Sequence, residues 1–223
     1  MRYLMSLLIV VGVCGCEKRH ESPQTFVSDD SEYKVAILLD LSGSFEHMMC
    51  DDGKAHQFAM RVLDHYFRER LGNNDKLIIA QISGTERSLL WEGTPLQLRR
   101  EFPSAKAFGE FLRSKSDPRG SLVHDSIAHT VEYVASDPAV ASGRAKSAVF
   151  VLSDMLDNGV NQESEQRVIG ALTEYAQQNG AVGLYYVDQL LVPQWRKNLQ
   201  DAGIREICVE SEIVGTPRLP NFE

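Results

Sequence analysis

The chain has 223 residues, 43% of them hydrophobic, which is enough to bury one substantial core, and the length favours one domain with tails over two. Its formal net charge of -8, from 31 acidic residues against 23 Lys and Arg, argues against a nucleic-acid partner, because phosphate binding rests on clustered basic side chains. Otherwise the acidic balance describes a solvated surface and selects no substrate.

The N-terminus, MRYLMSLLIVVGVCGC, has one early positive charge at Arg2 and then an apolar run from Leu4 to Val13, too short to span as an ordinary transmembrane helix. Its end, Val13-Cys14-Gly15-Cys16, resembles the lipobox of bacterial lipoproteins, in which a small residue precedes the cysteine that is lipidated and becomes the new N-terminus. Cys16 fills that place; Cys14 fits worse, since bulky Val13 precedes it. The resemblance implies a signal peptide over 1–15, a lipid on Cys16 and a place in the bacterial cell envelope. Glu17 in place of Asp favours the outer membrane by resemblance to Gram-negative sorting. A simple secretory signal or an uncleaved anchor is the alternative. Residues 16–32 continue as a polar tether containing Pro23, with no period that buries a face. Cys50 and Cys208 are then left as a disulfide pair or as two thiols, since sequence does not give their separation in space.

The body alternates buried runs with helical patterns. Lys34 to Asp40 (KVAILLD) reads as a central strand, and Lys54 to Leu71 as an amphipathic helix with Phe58, Val62 and Leu63 on one face and Gly72 as its stop. Leu77 to Ser83 and Ser88 to Thr94 are separated by a short Gly84-Thr85-Glu86 turn and form a hairpin. Helices follow over Ser104 to Ser114 and Ser121 to Ala135, then a second buried strand over Lys146 to Ser153. A helix from Gln162 to Gln178, a strand from Ala181 to Val187, a helix from Pro193 to Asp201 and a strand from Arg205 to Val209 complete the domain, 33–210, and 211–223 form a tail. The order predicts an α/β fold: a doubly wound, mostly parallel, Rossmann-like sheet with one antiparallel edge strand and helices on both faces.

In such a sheet the ligand site lies outside the carboxyl ends of the strands, near the switch in strand order. Two buried strands end alike, in Asp40-Leu41-Ser42-Gly43-Ser44 and in Ser153-Asp154-Met155-Leu156-Asp157. Hard cations take about six oxygens, mixing carboxylates with hydroxyls and water, and alternate residues of an extended turn point the same way. Asp40, Ser42 and Ser44 therefore suit one cation.

The segments VAILLDLSGS, GSLVHDSI and VFVLSDMLDN, in that order, resemble the metal-ion-dependent adhesion site of von Willebrand factor A domains. The likeness runs from Tyr33 to Val209. It implies Mg²⁺ or Mn²⁺ held by Asp40, Ser42, Ser44, Ser121 and Asp154, directly or through water, with one position open for an acidic side chain of a protein partner, as in integrin I domains. Ser121 departs from the usual Thr, keeping the hydroxyl but losing the methyl that restricts its rotamers. Met155 replaces a common Gly. His47, Met48 and Met49, in the loop after Ser44, would border the site as a partner-contact rim.

Other readings are weaker. A phosphohydrolase using Asp40 would need a second acid where Ser42 stands, and no Gly-x-Ser-x-Gly, P-loop or dinucleotide motif occurs, so no enzyme is expected. A scaffold or assembly factor with a structural metal, or none, is the other alternative. The histidines beyond the tether lie singly and read as surface or capping residues. Trp91, Trp195 and Tyr185-Tyr186 read as core or half-core.

Overall fold

The buried run from Lys34 becomes β1 (Glu32–Asp40), which reaches solvent at none of the residues from Val35 to Leu39. A computed structural model of the chain describes residues 32–50, 53–69, 75–84, 88–116, 120–213 and 218–221, all within the unit Ser31–Glu223. The predicted signal peptide, Cys16 and nearly all of the tether lie outside these residues, as does the Gly72 helix stop.

After β1 come α1 (Glu46–Met49), α2 (Lys54–Glu69), β2 (Lys76–Ile82), β3 (Leu89–Gly93), α3 (Pro95–Glu101) and α4 (Ala105–Lys115). The second half comprises α5 (Val123–Ala135), α6 (Pro138–Ala141), β4 (Ala145–Leu152), α7 (Gln162–Gln177), β5 (Ala181–Tyr185), α8 (Val192–Asp201) and β6 (Ile207–Glu210). The six strands lie in the order β3-β2-β1-β4-β5-β6. All neighbours are parallel except β2 and β3, the expected hairpin, whose register shifts between Ile79 and Ala80. The fold is thus the Rossmann-like α/β sheet that the alternation predicts.

Strand periodicity splits the core into two layers. Ala36 and Leu38 of β1, with Val149 and Val151 of β4, pack under α5, α6, α7 and α8. Val35, Ile37 and Leu39, with Ala148, Phe150 and Leu152, pack under α1, α2, α3 and α4. Both faces are covered, which is why these strands read as continuously apolar. From β1 the chain turns to β2 on one side and later returns to β4 on the other, so the switch point falls between β1 and β4.

Sequence periodicity misses α1, α3 and α6, which are too short to show it. Two of them carry local start signals: Thr94 and Gln97 form a capping box ahead of Pro95, and Asp137 accepts from the Ala139 amide ahead of Pro138. The suggested pairing of Cys50 with Cys208 is not made. Both are free thiols, Cys50 exposed and donating to the His47 carbonyl (3.1 Å), Cys208 buried within β6. Burial also pushes the Cys208 thiol up from its ordinary pKa. The histidines need a second correction: His56 and His124 are buried, not surface residues. Trp195, Tyr185 and Tyr186 are core residues as read, and Trp91 is half-buried, donating through Nε1 to Glu101 (2.7 Å). Among the described residues no helix is long and apolar enough to cross a membrane.

Candidate metal centre

Parallel pairing of β1 with β4 ends at Leu39↔Leu152, so the next residues, Asp40 and Ser153, emerge side by side at the carboxyl edge. Asp40 is wholly buried, and both oxygens of its carboxylate are engaged. Oδ1 accepts from the Ser42 amide (2.9 Å), which turns the chain sharply after the strand, and Oδ2 accepts from Ser153 Oγ (2.7 Å). Ser153 Oγ in turn accepts from the Met155 amide (2.8 Å). A buried hydroxyl thus ties the end of β1 to the loop leaving β4.

Ser42 is buried and Ser44 exposed, and their hydroxyl oxygens lie 3.3 Å apart, so the first segment offers a floor and a rim. Asp154 is half-buried; its Oδ1 accepts from the Leu156 amide (3.0 Å). Burial raises the Asp40 carboxyl above its ordinary pKa; hydrogen bonds from Ser42 and Ser153 pull the other way, and the negative charge of Asp154 adds to the rise. The Asp40 carboxyl therefore feels Ser42 and Ser153 directly and the charge of Asp154 more weakly, while Ser44 joins it only through Ser42.

Ser121, buried, stands just before α5. Both of its hydrogen bonds among the described residues use its backbone: the amide donates to Asn158 Oδ1 (3.0 Å) and the carbonyl accepts from the Asn158 amide (2.9 Å). The Leu122 amide donates to the carbonyl of Ser83 (3.2 Å), beyond β2, which fixes this segment next to the strand beside β1. Gly120 permits the approach, with φ 127° and a virtual Cβ only 3.3 Å from Asn158 Oδ1.

The loop after β4 carries strain and its compensation. Met155, where a glycine would sit without cost, has φ 66°, a left-handed conformation that costs an L-residue roughly 1–2 kcal/mol. Its side chain is buried in the core, which offsets that cost. Asp157 follows, accepting on Oδ2 from the His124 amide (2.8 Å) and Nδ1 (2.7 Å) and on Oδ1 from the Gly159 amide (2.6 Å). Burial would push the Asp157 carboxyl up, but those bonds together hold it below its ordinary value. The His124 ring stacks on Trp195 at 5.2 Å.

The five side chains that the sequence singles out, two carboxylates and three hydroxyls, carry hard oxygens, whose chemistry suits Mg²⁺ or Mn²⁺ better than a soft or nitrogen-seeking ion. Among the described residues, no group of three His, Cys, Asp or Glu forms a metal cluster of its own. The proposed rim differs from expectation. Only His47 is exposed; Met48 is half-buried and Met49 is buried, because the single turn of α1 presents them inward against the layer that holds Phe45 and Leu41. The sequence marks Asp157 only within the oxygen-bearing segment after β4 and His124 only as a surface or capping residue, and nothing in it pairs Asp157 with His124 or Asn158 with Ser121, 33 and 37 residues apart.

The sequence matches no protein-family model and no curated protein. The fold is similar to that of the pilus adhesin SpaC from Lactobacillus rhamnosus GG: its open conformation aligns over 77% of this chain with a TM-score of 0.53 at 12% identity. A second form of the same adhesin aligns over 77% with a TM-score of 0.52 at 12% identity. The chain spans about a quarter of the adhesin's length, 26% and 27% in the two forms. At this identity the likeness is one of fold.

Proposed function

We propose that this chain is a binding module of the von Willebrand factor A type, which holds Mg²⁺ or Mn²⁺ at the β1–β4 switch point and captures a protein partner through an acidic side chain. Asp40, Ser42, Ser44, Ser121 and Asp154 supply the oxygens, and Cys16 anchors the module by lipid in the bacterial cell envelope, the outer membrane being favoured. The observation that carries the reading is the Asp40 carboxylate, wholly buried and faced by the charge of Asp154. A buried carboxylate with a second, half-buried one near enough to act on it is an arrangement that a cation would relieve, and a cation with few protein charges around it attracts a further carboxylate. With both oxygens engaged and no exposure, Asp40 is poorly set to attack as a nucleophile, and it would serve a cation through a remaining lone pair or an intervening water. The fold shared with an adhesin agrees with capture by analogy alone.

The competing reading is an envelope scaffold whose contacts do not involve the metal. Partner capture from solubilised cell envelopes separates the two. Capture is expected in Mg²⁺ and is expected to disappear both in EDTA and in Asp40→Ala. Capture of the same partner that survives the chelator assigns the chain to the scaffold role.

A further inference from the structure

Helix α5 starts without a side-chain cap of its own. Its N-cap position is Leu122, which has no side-chain oxygen to offer the exposed amides of the first turn. The missing acceptor comes from elsewhere in the chain: Asp157 Oδ2 accepts from the His124 amide at 2.8 Å and from His124 Nδ1 at 2.7 Å. One residue on, Asn158 binds both backbone groups of Ser121, accepting from its amide at 3.0 Å and donating to its carbonyl at 2.9 Å. The loop that carries Asp154 therefore caps the helix that follows Ser121 and clamps Ser121 itself.

We infer that Asp157 and Asn158 are positioning residues that join the second and third segments of the metal site into one unit, so that the Ser121 hydroxyl is placed from the Asp154 loop and not from α5. The inference rests on the metal reading proposed above and adds to it two residues that bind no metal. Its physical basis is that hydrogen-bonded backbone on both sides of the Ser121 Cα leaves only the side-chain torsion to move. A serine has little rotamer restriction of its own, so with its backbone clamped the one freedom left to the hydroxyl is rotation about χ1. Outer partners of this kind usually change metal affinity by about 10–100-fold when removed. Asn158 has an exposed side chain on a loop, so its replacement leaves both core layers intact.

The test is calorimetric titration of the full chain with Mg²⁺ in a double-mutant cycle. Asn158→Ala is expected to weaken Mg²⁺ binding about tenfold. In a Ser121→Ala background the same change is expected to cost nothing further, because no hydroxyl remains to be placed. Asn158→Asp keeps the acceptor oxygen and the backbone donor and is expected to retain most of the affinity. Two results overturn the inference while leaving the metal site standing: unchanged affinity in Asn158→Ala, or an equal loss in both backgrounds, which would mark general damage to the loop. Absence of Mg²⁺ binding by the unsubstituted chain ends the metal reading, and the inference with it, before any variant is compared.

Discussion

Asp40→Asn is expected to raise the Tm of the chelated protein at pH 7 and to abolish the further rise that Mg²⁺ produces in the unsubstituted chain. Burial first, and the neighbouring charge of Asp154 as a smaller contribution, raise the Asp40 carboxyl above its ordinary 3.8, with the Ser42 and Ser153 hydrogen bonds opposing. A raised carboxyl holds its proton more tightly in the folded chain than in the unfolded one. Metal-free stability from this group is therefore fully present below pH 3.8 and is lost as pH rises through the folded value. Above that folded value the ionised group is a liability that a divalent cation would relieve. Asparagine removes the charge and keeps an oxygen for the Ser42 amide; its Nδ2 donates to Ser153 Oγ, and the Ser153 proton loses its carboxylate acceptor, a cost that the removal of the buried charge is expected to outweigh. Each kcal/mol recovered moves Tm by about 2–4 °C for a chain of this size. Mg²⁺ at 100 times its Kd adds about 2.7 kcal/mol to the unsubstituted chain. Scanning calorimetry of both chains, in EDTA and in Mg²⁺, reads all four values. A lower Tm for the variant in EDTA together with an intact Mg²⁺ response would contradict this account of the site.

Phe150→Ala is expected to destabilise the fold by about 3–5 kcal/mol, lowering Tm by roughly 6–20 °C. Phe150 lies in β4 between β1 and β5, paired with Ile37 on one side and Gly183 on the other, and is wholly buried. Gly183 offers no side chain, and the Tyr185 ring fills the space above it: a Cβ at Gly183 would come within 2.7 Å of that ring. Phe150 stacks on Tyr185 at 6.3 Å, and Phe58 of α2 meets the same ring at 4.6 Å. Removing Phe150 empties one end of this stack beside sheet backbone that has little freedom to collapse, so both the transfer and the cavity penalties apply. Urea unfolding followed by circular dichroism measures the change. A loss below about 1 kcal/mol, the scale of a well-tolerated core swap, would show that the layer repacks.

The two experiments probe parts of the molecule that differ in how far the sequence discloses them. β1 and β4 were legible because a strand buried on both faces must be apolar at every position, as VAILL and AVFVL are. The hairpin was legible from its short turn, and α7 from its long period. The single-turn helices α1 and α6 were not, since four residues are too few to express a 3.6-residue period. The same limit explains the rim: without α1, nothing in the order His47-Met48-Met49 tells which residues turn inward. At the candidate site, Asp40, Ser42, Ser44 and Asp154 could be picked out as candidates because each sits at a strand end that the hydrophobic runs already mark. Ser153 as the hydroxyl bonded to Asp40 follows only from the register of β1 against β4, a property of the pair and of neither strand alone. Asp157, Asn158 and the buried His124 are further from view still, because an acid and an imidazole 33 residues apart look like two surface residues until the fold joins them.

The central claim is that Asp40 and Asp154 serve one cation, and isothermal titration with Mg²⁺ and with Mn²⁺ tests it most directly. The unsubstituted chain is expected to give a saturating heat at one ion per chain, and Asp40→Ala and Asp154→Ala are each expected to give none above dilution, with the far-ultraviolet spectrum unchanged. Equal heats from all three chains would contradict the claim and leave the switch point as a hydrogen-bonded turn without a metal.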